Sequence, residues 1–111
     1  MDKLNLISLL EIALVEADNF TIKYYDGDEN YMLDTKKVLT LLKNEIQNTP
    51  TQINERVLRA MHDIGAVAVK QYENTLLETA IMNVTTILYK EIPNYKSLKP
   101  LRMDFGKGKP I

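Results

Sequence analysis

Residues 49–72 read TPTQINERVLRAMHDIGAVAVKQY and begin with a strong helix-start signal. Thr49 can cap the first turn, and Pro50 suits the first helical position because its missing N–H would have no partner there anyway. Gln52, three residues after Thr49, completes a capping box with it. The apolar residues behind this start recur every three or four positions and form one stripe of a predicted helix: Ile53, Val57, Met61, Ile64, Ala68 and Tyr72.

A second apolar stripe, formed by Leu58, Gly65 and Val69, lies beside the first. A helix with two adjacent apolar stripes needs neighbours on more than one side, so residues 49–72 are predicted to form the central helix of a bundle. Gly65 would cost about 1 kcal/mol relative to alanine in the middle of a helix. We therefore expect either that another backbone packs closely against Gly65 or that the helix bends there.

Two further helices are predicted before the central one. Asp2 can cap the first, which should run to about Asp18. Its polar face is thin, which predicts burial on most of its circumference. The alternative is that part of this face forms a homodimer interface. Asp34 can cap the second helix, which should span residues 35–47 and end before Pro50.

A fourth helix is predicted after the central one. Thr75 and Glu78, three residues apart, make a second capping box, and the helical spacing of apolar residues continues to about Glu91. The run Val84-Thr85-Thr86 favours a strand because β-branched residues suit pleated structure. The helical period on both sides of this run outweighs that preference.

Residues 20–33, between the first two helices, have a different character. Thr21 and Ile22 favour extended structure, and Asp26-Gly27 is a turn dipeptide that can close a tight hairpin. A lone two-stranded hairpin is only marginally stable unless it packs on something. A small hairpin and an irregular loop are therefore both open at this point.

The C-terminal segment, residues 94–111, has no helical period, and Pro93 and Pro100 separate it from the helices. It carries more isolated apolar residues than a purely disordered tail would: Tyr95, Leu98, Leu101, Met103 and Phe105. We expect an extended basic tail that docks these side chains onto the bundle and then frays. The complete prediction is a single all-α domain, residues 1–111, built as a four-helix antiparallel bundle with this tail.

The composition is that of a globular chain, with 45% apolar and 26% charged residues among 111 and no cysteine. The lack of cysteine excludes disulfides and thiolate metal sites and fits a reducing compartment. The apolar run of residues 4–17 is too short and too charged to span a bilayer, and it lacks the features of a signal peptide. We expect a cytoplasmic protein without a membrane partner.

The net charge of −1 hides an uneven distribution. Residues 1–34 contain two basic and eight acidic side chains, a local charge of −6, whereas residues 94–111 contain five basic and one acidic, a local charge of +4. One interpretation is that the basic tail lies over the acidic first third or that both are solvated. The other is that one end meets a charged partner.

The acidic turn after the first helix is the best candidate for such a contact, because tyrosines beside charges are enriched at protein interfaces. The predicted site for a basic protein partner consists of Tyr24, Tyr25, Asp26, Asp28, Glu29 and Tyr31. The acidic spacing also resembles the start of a calcium-binding loop. Tyr31 and Lys37, however, occupy the positions that need glycine and glutamate, so we expect no metal.

His62 is the sole histidine, which argues against a multi-histidine zinc site. Neighbouring helix residues point about 100° apart, so His62 and Asp63 cannot form a dyad, and no spacing brings Ser8 or Ser97 to the ring. We expect no catalytic residue and no cofactor. A pocket between helices near His62 and Gly65 is the alternative, as a ligand-binding site.

The sequence thus predicts a small non-enzymatic protein-interaction module. A protein of this size and charge could bind and neutralise a basic toxin, as bacterial immunity proteins and antitoxins do. The alternative is a small-molecule-binding or regulatory subunit that uses the inter-helical pocket. Nucleic-acid binding is disfavoured by an isoelectric point of about 5.8 and by the lack of a continuous basic stripe.

Overall fold

The computed structural model describes residues 2–24, 29–48 and 52–103, which contain four α-helices and no β-strand. The elements in chain order are α1 (Lys3–Tyr24), α2 (Glu29–Asn48), α3 (Glu55–Gln71), α4 (Leu76–Glu91) and a short 3-10 helix (Tyr95–Ser97). Each helix packs against its neighbours in sequence, and α1 also packs against α4, which closes the bundle. The predicted all-α antiparallel bundle is confirmed.

The core lies along the inner faces of all four helices, where apolar side chains recur every three or four residues. Its largest fully buried members include Leu6, Leu10, Leu39, Leu42, Ile46, Met61, Ile64, Leu77, Ile81 and Leu88. The two-stripe prediction for α3 holds in part. Leu58 is buried, but Val69 is more than half exposed, although α3 packs against both α2 and α4.

α1 is longer than the sequence indicated and continues through residues 19–24. The Phe20 ring packs edge-on against Tyr72, the residue that follows α3, with ring centroids 5.0 Å apart, and this contact anchors the additional turn. Packing of this kind overrides the weak helix propensity of Thr21 and Ile22. Of the two alternatives left open for this segment, the hairpin is excluded, since residues 20–24 and 29–33 are helical; the Asp26-Gly27 turn lies outside the described residues.

α2 begins at Glu29, so the prediction that Asp34 caps this helix is wrong. The buried stripe of α2 extends one turn further towards the N-terminus, through Met32 and the fully buried Thr35. The Thr35 hydroxyl donates to the Tyr31 carbonyl oxygen at 2.8 Å. It accepts from the Tyr72 hydroxyl at 2.9 Å, so this polar pair is satisfied inside the core.

α3 begins at Glu55, later than predicted, and Asn54 caps it. The Asn54 side-chain oxygen accepts from the Arg56 backbone N–H at 2.8 Å, and the Asn54 N–H donates to the Glu45 carboxylate at 2.9 Å. These two bonds give acceptors to backbone N–H groups at the start of α3 without Thr49. The predicted helix start at Thr49 is wrong, because residues 52–54 are not helical; residues 49–51 lie outside the described part of the chain.

The predicted start of α4 is confirmed. The Thr75 hydroxyl oxygen accepts from the Glu78 backbone N–H at 3.2 Å. The Glu78 carboxylate accepts from the Asn74 backbone N–H at 3.1 Å, one residue before the cap. The Val84-Thr85-Thr86 run is helical. Both threonine hydroxyls donate to the Met82 carbonyl oxygen, at 2.9 and 2.8 Å.

Gly65 does not have the close backbone neighbour that the sequence suggested. A Cβ atom at Gly65 would meet only side chains at ordinary van der Waals distance, the Thr85 Cγ2 at 3.8 Å and the Met82 Cε at 3.9 Å. Of the two alternatives given for Gly65, the close backbone approach is therefore excluded among the described residues. The position has room for a methyl group beside α4.

Replacing Gly65 by alanine should stabilise the fold by about 0.5–1 kcal/mol. The substitution lowers the backbone entropy of the unfolded chain, and its methyl group has room in the folded state. Urea denaturation followed by circular dichroism measures the change in unfolding free energy. A destabilised Gly65→Ala variant would show that the glycine is required by the backbone of α3.

Candidate functional site

The predicted acidic-aromatic site lies where α1 and α2 meet. Tyr24 is the last residue of α1 and Glu29 is the first of α2, so the two helices converge on residues 25–28. We call residues 24–31 the acidic tip. Tyr25, Asp26 and Asp28 fall outside the described residues. The described backbone places Tyr24, Glu29 and Tyr31 at one end of a helical hairpin.

Tyr31 differs from the rest of the acidic tip because its environment is described. Its side chain is half-buried and packs against the hydrophobic core. Its carbonyl oxygen accepts the Thr35 hydroxyl bond inside α2. Tyr31 is therefore partly anchored in the core, and part of its side chain remains open to solvent.

α1 is less buried than its sequence indicated. Leu4, Ile12 and Val15 are 78%, 52% and 56% exposed, although all three are apolar. They lie on the side of the helix opposite the buried Leu6, Leu10, Ala13 and Ala17. The prediction of burial on most of the circumference is wrong. The periodicity alone could not separate an uncovered apolar face from a covered one.

This uncovered surface, the outer face of α1, comprises Leu4, Ser8, Glu11, Ile12, Val15 and Glu16. A shallow groove runs along it, lined by all of these residues except Leu4. Its charged groups are acidic, and no residue between Leu4 and Asn19 is basic. On the side next to α2, the Lys43 ammonium lies 4.0 Å from the Glu11 carboxylate, and that of Lys36 lies 2.7 Å from Asp18. Exposed pairs of this kind contribute little to stability.

A second candidate site is an aromatic cluster formed by His62, Tyr89 and Tyr95. The His62 and Tyr95 rings are stacked, with centroids 4.1 Å apart and planes 11° from parallel. The Tyr89 ring stands edge-on to both, at 5.9 Å from His62 and 4.9 Å from Tyr95. Stacked and edge-on pairs are the favoured aromatic geometries. The cluster joins α3, α4 and the 3-10 helix.

The His62 ring is oriented by a hydrogen bond from its Nε2 to the Tyr95 carbonyl oxygen, 2.8 Å away. A carbonyl can only accept, so Nε2 carries the hydrogen, and in the neutral ring Nδ1 is then the acceptor. His62 is half-buried on the flank of its helix. Its bond to the main chain fixes the ring in place, which is a structural role.

A groove between α3 and α4, with a volume of about 260 Å³, adjoins the aromatic cluster. It brings together His62 and Gly65, the two residues of the predicted alternative site, with Met82, Thr85 and the half-exposed Tyr89. We call it the α3–α4 groove. Its walls are apolar and aromatic, and the missing side chain of Gly65 widens it.

The C-terminal segment is held against α3 by polar as well as apolar contacts. We call residues 98–103 the C-terminal strap. The Arg102 backbone N–H donates to the Asp63 Oδ1 at 3.0 Å, and the Arg59 Nε donates to the Lys99 carbonyl oxygen at 2.9 Å. The apolar side chains of the strap pack against the core: Leu98, Leu101 and Met103. The predicted docking of the tail is confirmed as far as residue 103; residues 104–111 lie outside the described residues.

Asp63 is the one buried carboxylate of the described residues, and its side chain is 8% exposed. Burial raises its pKa above the ordinary 3.8, against the opposing effect of backbone N–H groups from residues 101–103 and of His62. Its Oδ2 atom and the Tyr95 hydroxyl are buried and have no hydrogen-bond partner among the described residues. Burial likewise raises the pKa of the Tyr95 phenol.

The role of Asp63 was not predicted from the sequence, because charged residues usually face solvent. Nothing in the spacing indicated that a strap 40 residues further along would cover it. The docking of Tyr95 was predicted and is confirmed, since the residue is fully buried. Its stacking on His62 was not predicted.

The described residues contain no group of three or more acidic or histidine side chains that could hold a metal ion. In the same part of the chain, no helix has the length and apolar content needed to cross a bilayer. The Ser97 hydroxyl donates to the Asn94 carbonyl oxygen, and Ser8 is exposed on α1. Neither serine is hydrogen-bonded to His62 in this arrangement.

No protein-family model matches the chain, and neither the curated proteins nor the solved structures give a match. The candidate sites therefore rest on their own chemistry.

Proposed function

We propose that this chain is a small, non-enzymatic protein-interaction module of the cytoplasm, and that its partner is a basic protein. The observation that carries the proposal is the composition of the acidic tip. This stretch, rich in acidic residues and tyrosines, connects α1 and α2, the two longest helices of the described residues. Binding residues are often placed on connections that a rigid scaffold positions.

The charge distribution supports the same proposal. Residues 1–34 carry a local charge of −6, and this segment includes both the acidic tip and the outer face of α1. A concentrated acidic surface steers a basic partner and raises its association rate. The specific form we favour is neutralisation of a basic toxin, in the manner of an immunity or antitoxin protein.

Neutralising Asp26 and Asp28 together should weaken capture of the partner and leave folding intact. The variant Asp26→Asn/Asp28→Asn removes two charges from the tip, and each contact of this kind weakens binding by roughly threefold to tenfold. A charge-matched control is Glu55→Gln/Glu91→Gln, whose exposed side chains lie at the other end of the bundle. Affinity capture from lysate measures the effect, with circular dichroism as the folding check.

Equal capture by wild type and the tip variant would rule out the acidic tip as the binding site. Equal loss in both double variants would show that only the total charge matters. Loss confined to Asp26→Asn/Asp28→Asn is the result that the proposal requires.

A second candidate function, small-molecule binding or regulation, is favoured by one observation. The α3–α4 groove joins His62 and Gly65 to exposed aromatic surface in a volume of about 260 Å³. Ligand sites are concave and largely apolar, with a few polar groups that orient the ligand. Binding there would depend little on salt, whereas binding at the acidic tip would weaken steeply as salt is added.

A further inference from the structure

We propose that the outer face of α1 is a second docking surface, and that it takes a basic amphipathic helix of the partner. This inference rests on the proposed function, which supplies a basic protein partner, and adds the surface and the secondary structure that the partner presents. It begins from Leu4, Ile12 and Val15, which are apolar and more than half exposed.

The spacing of the outer face fits a helix. Leu4, Ser8, Ile12 and Val15 follow one another at steps of four, four and three, so they form one stripe about 16 Å long on α1. A helix is recognised by another helix through anchors at this spacing. Ser8 is small and leaves room between the larger side chains, where a leucine of the partner would pack.

The charges select the partner. Glu11 and Glu16 flank the apolar stripe, and no residue from Leu4 to Asn19 is basic. A second copy of this chain, docked through the same surface by two-fold symmetry, would bring acidic groups against acidic groups. A helix with an apolar stripe bordered by lysines or arginines would instead pair opposite charges with Glu16 on one side of the stripe and share Glu11 with Lys43 of α2, which lies 4.0 Å from it, on the other.

The size of the surface decides how it works. A stripe of about 16 Å by 10 Å offers a few hundred Å², below the roughly 800 Å² that each side of a stable interface buries. The outer face of α1 therefore provides only part of an interface. We expect an isolated helical peptide to bind the outer face weakly.

The experiment uses a synthetic amphipathic helix of leucine and lysine, about 18 residues long so that it spans the stripe. Its binding to the full chain is measured by fluorescence anisotropy. Two control peptides are a leucine–glutamate helix and a scrambled leucine–lysine peptide with no apolar stripe. The test variant is Ile12→Ala/Val15→Ala, and the matched control is Val69→Ala/Leu76→Ala, which removes two other exposed apolar side chains.

The proposal predicts that Ile12→Ala/Val15→Ala weakens binding of the leucine–lysine helix about tenfold, while Val69→Ala/Leu76→Ala changes it less than about twofold. The control peptides should bind much more weakly to the wild type. Alanine favours helix formation, so the test variant should fold normally.

Equal binding to wild type and Ile12→Ala/Val15→Ala would overturn the proposal, as would equal binding of the leucine–glutamate helix. Sedimentation velocity adds a third test: a wild-type dimer that Ile12→Ala/Val15→Ala dissociates would show that a second copy covers the face. If partner capture depends on Asp26 and Asp28 but not on Ile12 and Val15, the proposed function stands and this inference fails.

Discussion

Replacing Tyr95 by alanine should lower the free energy of unfolding by about 3–5 kcal/mol, the usual cost of removing a large buried aromatic side chain. Tyr95 is completely buried and makes stacked and edge-on contacts with His62 and Tyr89. Its loss would leave a cavity between α3, α4 and the 3-10 helix. A domain of this size has about 5–15 kcal/mol of stability in total, so the variant should unfold at much lower urea concentration.

The hydroxyl of Tyr95 should contribute nothing to that stability. It is buried and has no hydrogen-bond partner in the part of the chain that the structure describes, which costs about 1–3 kcal/mol of desolvation. Tyr95→Phe keeps the ring contacts and removes this cost, so it should match or exceed the wild type in urea denaturation. A loss of more than about 1 kcal/mol in Tyr95→Phe would reveal a partner for the hydroxyl. The two variants together separate the ring from its polar group.

Replacing Asp63 by alanine should have the second largest effect, a loss of about 2–3 kcal/mol, because its carboxylate accepts backbone N–H groups of the C-terminal strap. The alanine variant leaves these donors without their acceptor. We expect the strap to detach before the bundle unfolds. Hydrogen exchange of residues 98–103 should therefore accelerate in Asp63→Ala, while exchange in α1 and α2 stays close to that of the wild type.

Asp63→Asn is the matched control, since it keeps an oxygen acceptor for Arg102 and removes the buried charge. It should remain within about 1 kcal/mol of the wild type at neutral pH. The pKa of Asp63 is raised in the folded state by burial, so its ionisation destabilises the fold. The wild type should consequently gain stability relative to Asp63→Asn as the pH falls from neutral towards 3.8, the ordinary value. If the wild type instead loses stability relative to Asp63→Asn as the pH falls, hydrogen bonding to the carboxylate, and not its burial, determines the direction of the pKa shift.

The helices could be predicted from the sequence where local signals agreed with packing. The Thr75–Glu78 start of α4 is correct because both capping bonds form within five residues of chain. The start of α3 is wrong although Thr49, Pro50 and Gln52 match the motif. Asn54 is a cap of equal quality, and Glu45 on α2 accepts its backbone N–H. The contact with Glu45 favours Asn54 over Thr49 as the cap of α3. Local sequence signals alone could not distinguish these two residues.

The candidate sites could likewise be predicted only where they depend on local sequence. His62 and Gly65 were placed near a pocket because they are one turn apart on one helix, and they do line the α3–α4 groove. Asp63 and Tyr95 depend on which segment covers α3, and hydrophobic periodicity does not record that. Ile12 and Val15 are exposed because no element of the described residues packs over that side of α1. Local patterns therefore identified the helices, while the covered and uncovered faces required the three-dimensional structure.

Affinity purification of the tagged chain from its native cells, at low and at high salt, tests the proposed function most directly. Screening lengths shrink from about 10 Å at 0.1 M salt to about 3 Å at 1 M, so an acidic surface should lose its partner in the second condition. We expect one stoichiometric basic protein, identified by mass spectrometry, that is retained at low salt and released at high salt. Recovery of no protein partner in either condition would contradict it and direct attention to the α3–α4 groove.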